Sequence, residues 1–584
     1  MTQTIQDVVL TRPEPATEPG PLDDTFYDLV ESRFRRIIRD NPLVGTYLGI
    51  HTEDDRLGDG SRDAVLAELA AEKAYLATVD ALDPAGLSAD VRFERDLELH
   101  NVRRAVFDAE VIRTWERRST ALDVVGDGLF LPFAQDYAPL PERLASITSR
   151  LEAVPAYLAE SRTRATVPQV RAWQELEIES AADLPSFFDE IVVAGADLPA
   201  AEHRRLVRAS EAARAAIAEY AATLTATLAG GSDDWALGRD RYDELVALRA
   251  FDGLDADAIL EIGEDQLETN QAARVRVARE IDDRSSEAEV IDRLKSDHPA
   301  TFGEALDEYR DVMRRARQYL IDHDIVGVPP DERIEVIETP EYLRNVIPFA
   351  AYFSPPKFDP RPKGIYIVTP SVGDDPNAMR EHNFSSISNT SIHEAYPGHH
   401  LQLHVANGHP SLTRLLTDAP EFVEGWGMYS EQMMREQGFD AAANFRLNLH
   451  TDAIWRACRI ILDVRMHRGE VGVEEAVAFL VKQTSFEEPN ARAEVRRYTY
   501  TPTYQLSYLL GKVLLLGLRA DEQARLGSAF SLRDFHDTLL RNGSLPISFH
   551  RRLLRERLAR EGVGGGTAAR DQNGGAGAAR AARS

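Results

Sequence analysis

The chain has 584 residues, 43% hydrophobic and 28% charged, with Lys+Arg 67 against Asp+Glu 96 and a net charge of −29. Length and apolar content imply a large core, usually divided into more than one lobe. The acidity argues against nucleic acid, which needs a basic surface, and against anionic membranes.

In chain order, residues 1–22 hold Pro13, Pro15 and Pro21 with Glu14 and Glu18, and no apolar run of signal-peptide length. They read as a flexible leader. Residues 23–330 read as an N-terminal lobe of long helices. Phe26, Leu29, Val30, Phe34, Ile37 and Ile38 recur at three- and four-residue spacing. The stretches 64–79, 91–115, 141–165, 169–193, 201–228, 254–281 and 302–323 repeat the pattern, broken by Pro and Gly. This half is expected to be scaffold and groove wall.

Residues 331–563 are expected to form a catalytic lobe. Ile334, Val336 and Ile337 alternate loosely, and 350–354 and 364–369 read as strands across a Pro-rich loop too long for a tight hairpin. A small sheet is expected there, and its edge could add an extended substrate backbone. Asp374-Asp375-Pro376 suggests a turn, and Ser388, Asn389 or Thr390 a helix cap.

The stretch His393-Glu394-Ala395-Tyr396-Pro397-Gly398-His399-His400 follows. Neutral imidazoles can hold a metal, and a carboxylate can take a proton from water. The helical form His-Glu-x-x-His puts both ligands on one face, but here Pro397 stands at i+4. On an unbroken helix, i+6 lies roughly 240° round from His393. Pro397 must break or bulge the helix. A bulge of two residues returns His399 to the i+4 place; His400 needs three. The smaller distortion favours His399, and His400 stays open. Glu424, twenty-five residues after His399 in an apolar helix with Phe422, Val423 and Trp426, is the expected third ligand. Glu421 and Glu431 are its runners-up.

Helices resume over 444–467, 473–482, 488–500, 504–520, 531–542 and 547–560. Cys458 is the only cysteine and reads as a buried small residue, so no internal disulfide forms, which fits a reducing, cytoplasmic setting. No run of about 18 apolar residues predicts a membrane span. From Gly564 to Ser584 the composition falls to Gly, Ala, Arg and a few polar residues, a disordered tail.

The His-Glu stretch, then Glu424-Gly425-Trp426-Gly427-Met428-Tyr429, Asp463 and His467, Arg497-Tyr498, and Pro502 to Lys512, together resemble the bacterial domain-of-unknown-function 885 family. Its members are regarded as zinc metallopeptidases similar in design to the thimet oligopeptidase and carboxypeptidase Taq groups. The resemblance implies a mainly α, large two-lobed helical protein with a deep groove and a small β-sheet beside the metal-site helix. It implies Zn²⁺ on His393, His399 and Glu424, with Glu394 as general base. It also implies a tyrosine donor to the oxyanion, Tyr508 first and Tyr504 second. His400, His467, Arg497 and Tyr498 are then expected around the substrate, with Arg496 and Lys512 as further cations. The expected reaction is hydrolysis of peptide or amide bonds in short peptides. A metal-dependent hydrolase or lyase for one amide-bearing metabolite would share the site, and a helical binding protein would keep it only as a vestige.

Overall fold

Periodic apolar spacing becomes helix along nearly the whole chain, with one small sheet. The computed structural model describes residues 5–14, 18–344, 347, 349–370, 378–484 and 486–561; Asp374-Asp375-Pro376 and the tail 564–584 lie outside them. The helix Asp23–Asp40 buries Phe26, Val30, Phe34 and Ile38, the stripe its spacing predicts. Residues 5–12 depart from the expected flexible leader. Ile5 is buried against that helix, and Arg12 pairs with Asp28 at 2.6 Å and Glu31 at 2.7 Å. An apolar anchor and a guanidinium fork together hold the segment down.

One helix in the first half, Ala121–Ala134, has no amphipathic signal in the sequence. It contains Gly126, Gly128 and Pro132, and it is apolar nearly all round because it lies inside the core with Leu122, Val125, Leu129 and Phe130 buried. It packs with Leu140–Ser161, Arg171–Ala194 and Ala200–Thr227.

A second, larger core lies beyond these helices. It takes in α1 (Ala256–Ile281) and α2 (Phe302–Asp322) and runs on to Leu554. It therefore continues across residue 330, where the sequence suggested a boundary. The two cores meet at the sheet. Its strands are β1 (Ile334–Glu338), β2 (Ala350–Phe353) and β3 (Gly364–Val368), in the order β1-β3-β2. β1 runs parallel to β3, with Ile334 opposite Gly364; β2 runs antiparallel, with Ala350 opposite Val368. Every residue of β3 is buried. Ile365 and Ile367 face the first core, while Tyr366 and Val368 face the second, the two-residue alternation of a strand covered on both sides.

Five helices of the second core then carry the site: α3 (Phe384–Glu394), α4 (His399–Asn407), α5 (Pro420–Glu436), α6 (Ala443–His467) and α7 (Ser507–Leu526). α5 and α7 touch through Gly425 and Gly511. A Cβ on Gly511 would lie 2.0 Å from the Glu421 carbonyl oxygen, so only glycine permits this approach.

Candidate metal centre

The helix is interrupted where Pro397 demands. α3 ends at Glu394 and α4 begins at His399. The Gly398 N–H donates back to the Ile392 carbonyl at 3.0 Å, and the Leu401 N–H to that of Ala395 at 3.3 Å. Each bond spans six residues where an α-helix spans four. Two extra residues are absorbed, and His399 takes the i+4 place. A Cβ on Gly398 would lie 1.8 Å from the His393 carbonyl oxygen, so the chain can fold back only at glycine. Asn383 caps α3, accepting from the Ser386 N–H at 3.0 Å; the expected caps Ser388, Asn389 and Thr390 lie inside the helix.

His393, His399 and Glu424 come together. His393 Nε2 is 3.4 Å and His399 Nε2 3.3 Å from Glu424 Oε2, and the facing atoms of all three lie within 4.8 Å of one another. Among the described residues this is the one such group. Two donors about 2.0–2.1 Å from a shared tetrahedral ion sit about 3.4 Å apart. The spacing therefore fits an ion of the size of Zn²⁺.

Surrounding groups fix these ligands. The His393 Nδ1–H donates to Glu431 Oε1 at 2.7 Å, which leaves the Nε2 lone pair toward Glu424. Asn389 donates to the other Glu431 oxygen and to Asp452, both at 2.8 Å. The Tyr504 hydroxyl donates to Glu424 Oε1 at 2.8 Å. Trp426 Nε1 donates to the Pro397 carbonyl at 2.7 Å, tying α5 to the break. A Cβ on Gly427 would meet His393 Cε1 at 2.6 Å, so glycine lets the ring lie against α5.

The electrostatics follow from two imidazole nitrogens facing one carboxylate oxygen. Burial alone would depress the His393 pKa, but hydrogen bonds to Glu424 and Glu431 outweigh it and push it up to about 10. Burial would raise Glu424; the His399 charge and hydrogen bonds from both imidazoles reverse this and hold it well below the usual carboxylate range. Glu394, next to His393, is pushed up by burial, with the two histidines acting against it.

Tyr508 also belongs here. Its ring lies 6.5 Å from that of His393, nearly parallel, and its hydroxyl is 3.3 Å from that of Tyr504. Arg459 and Arg456 approach the Tyr508 ring at 4.8 and 5.9 Å. Arg497 stands close enough for its charge to act on Tyr508.

Other expected residues point elsewhere. His400 is completely buried and turned away. Its Nε2–H donates to Glu332 at 2.8 Å, and its Nδ1 accepts from the Tyr352 hydroxyl at 2.8 Å. Adjacent residues on a helix differ by about 100°, so His399 and His400 cannot share an ion. His467 and Tyr498 are fully buried scaffolding rather than substrate contacts. His467 Nε2–H donates to the Tyr498 carbonyl at 2.9 Å, and the Tyr498 hydroxyl donates to Glu494 at 2.9 Å. Both brace the turn that leads into Tyr504. Glu421 pairs with the buried Arg249 at 3.0 Å, and Arg496 with Glu179 at 3.0 Å. Lys512 is buried on α7, away from any ion pair among the described residues.

Of the surrounding participants, two are marked by helical spacing and one is not. Asn389 is four residues before His393 and Glu431 seven after Glu424; helical spacing marks both as sharing a face with a ligand. Glu332, which gathers His400, Tyr396 and Arg317, sits in a loop and carries no such mark.

Fold and centre together define a mainly helical protein in which a broken His-Glu helix and a glutamate on the next long helix converge on an ion-sized gap. The chain belongs to the family described as "Bacterial protein of unknown function (DUF885)", matched over residues 42–554. Among solved structures it is similar to a "putative lipoprotein of unknown function" from Shewanella oneidensis, 24% identical, with a TM-score of 0.73 over 91% of this chain and 99% of that one. It is also similar to a "putative lipoprotein" from Colwellia psychrerythraea, 18% identical, with a TM-score of 0.79 over 92% and 99%. At these identities the likeness is one of fold. No curated protein matches the chain.

Proposed function

We propose that this chain is a zinc-dependent hydrolase of peptide or amide bonds in short peptides. The observation that carries the reading is the convergence of His393, His399 and Glu424, two imidazole nitrogens facing one carboxylate oxygen, with Glu394 close enough for their charges to act on it. Zinc, when bound, would polarise a substrate carbonyl and make water a nucleophile near neutral pH. Glu394 is placed to take the proton of the attacking water and hand it to the departing amine. The water oxygen bonds to the acyl carbon, the C–N bond breaks, and the amine leaves with that proton. Tyr508 donates to the carbonyl oxygen as charge builds on it. Tyr504, committed to Glu424 Oε1, orients the ligand and is second for the oxyanion role.

Metal analysis of the purified protein, joined to a digest of a mixed peptide library, tests this. One zinc per chain is expected, with cleavage that a chelator abolishes and added zinc restores. A library left intact by the zinc-loaded protein would overturn the peptidase reading. Cleavage of a single amide metabolite instead would point to the pathway-specific alternative, and absence of stoichiometric zinc to a binding protein.

A further inference from the structure

Behind Tyr508 the arginines outnumber their carboxylates. Arg459 Nη2 donates to Glu494 Oε2 at 2.9 Å. Arg497 Nη2 donates to the same carboxylate, at 3.0 Å to Oε2 and 3.2 Å to Oε1. Two guanidiniums thus share one negative charge. A third, Arg456, lies 3.4 Å from Asp452, which also accepts from Asn389 and Asn448. Among the described residues, these three guanidiniums have two carboxylates within ion-pair distance.

The two arginines on Glu494 are not equivalent. Arg459 has 3% of its side chain accessible, gives Nε to the Tyr498 hydroxyl at 3.3 Å, and packs between Trp455 and Tyr508 at 4.1 and 4.8 Å. It is a structural cation. Arg497 has 31% of its side chain accessible, and its Nε, though buried, has no partner. A partly exposed guanidinium with an unpartnered donor and the excess charge therefore coincide on Arg497. It adjoins the catalytic side through Glu494: Arg459, which shares that carboxylate, packs on the Tyr508 ring at 4.8 Å. A planar guanidinium with free donors matches a carboxylate, which it can grip through two parallel bonds. In a chain of net charge −29, a poorly screened cation at this place selects an anion that its surroundings would otherwise repel.

We propose that Arg497 binds the free α-carboxylate of the substrate, so that the centre trims short peptides close to their C-terminus. The trimming rests on the hydrolytic reading above; the carboxylate binding does not.

The test separates them. Equilibrium dialysis of a mixed tripeptide library, with free C-termini or amidated, against the zinc-loaded Glu394→Gln protein measures binding without turnover. The free acids are expected to bind about 10- to 100-fold tighter, the worth of a charge-assisted hydrogen-bonded pair. Arg497→Ala erases the preference and leaves amide binding unchanged; Arg497→Lys keeps part of it, having charge without the fork. Arg496→Ala, whose partner is Glu179, behaves as the parent. Equal binding of both libraries, no binding of either, or an undiminished preference in a folded Arg497→Ala protein overturns the proposal. So does selective retention of Asp- or Glu-containing amides, which would assign Arg497 to a side-chain carboxylate. Digesting the same libraries with the wild-type zinc protein completes the separation. Preference without cleavage sinks the hydrolytic reading and leaves the carboxylate site standing; cleavage without preference does the reverse.

Discussion

Two buried polar clusters in this molecule use the same residue types to opposite ends. In the first half, Asp54 accepts from Thr46 at 2.6 Å, from the Tyr137 hydroxyl at 2.7 Å and from His51 Nδ1 at 2.7 Å, with the fully buried Arg150 at 3.4 Å. Donors surround the acceptor, and every oxygen of Asp54 is taken, although His51 Nε2 is left without a partner. At His393, His399 and Glu424, two imidazole nitrogens converge on one carboxylate oxygen, the arrangement proposed above to hold a cation. Burial does not tell a brace from a binding site here; both clusters are buried. The balance of donors against acceptors does.

The comparison can be broken in several places. The largest effect is expected from Glu394→Gln: a loss of about 10²- to 10⁴-fold in turnover with zinc content unchanged. Wild-type rates in that variant would remove the proposed base. Next, Asp54→Ala strands the buried Arg150 charge and is expected to lower stability by about 3–5 kcal/mol. Urea denaturation should give the same loss with or without zinc, since that network has no metal linkage. Zinc at 100 times its Kd should stabilise the wild-type protein by about 2.7 kcal/mol. His399→Ala should show no such gain in the same titration; a gain equal to wild type would place the ion elsewhere. Glu431→Gln removes the carboxylate that fixes the His393 tautomer, and competition with a chelator should read zinc binding about 10- to 100-fold weaker.

The smallest effect concerns a third buried cluster, around Asp463. Asp463 accepts from the Tyr242 hydroxyl and the Thr503 N–H, both at 2.9 Å, while its Oδ1 has no partner. Burial, only partly opposed by those hydrogen bonds, pushes its pKa up to about 7 from 3.8. Between those values the folded chain holds a proton that the unfolded chain has released. Its contribution to stability is therefore present at low pH and lost as pH rises through the folded value, at no more than about 1.4 kcal/mol per pH unit. The buried Glu177, also pushed to about 7, adds a slope of the same sign. Denaturation across this range should give a shallower fall in Asp463→Asn than in wild type; identical slopes would mean that Asp463 titrates normally.

The sequence made the helices of the first half legible because each shows one apolar stripe, and Ala121–Ala134 escaped because a helix inside a core needs no polar face. β1 and β3 were legible from β-branched residues and β2 from its aromatic pair, but the parallel pairing of β1 with β3 brings together segments whose spacing carries no register signal. At the centre, local chemistry was readable: proline at i+4 forces the break, and counting residues chooses His399 over His400 without coordinates. What failed to read was long-range. His467 and Tyr498 carry reactive side chains, yet their atoms are taken up by Tyr498's carbonyl and by Glu494, partners that only the fold brings near. The leader likewise looks unstructured by composition, but Ile5 finds a pocket that its own neighbourhood does not announce.

The contact between α5 and α7 is main chain against main chain at Gly425 and Gly511. Nothing compressible lies between the rod that bears Glu424 and the rod that bears Tyr508, so their separation is gauged by peptide planes and not by rotamers. Such a joint has no slack to absorb an insertion. One methyl group added at position 511 would act as a shim, shifting carboxylate and phenol apart together, and the gap would lose its calibre though every ligand remained in place.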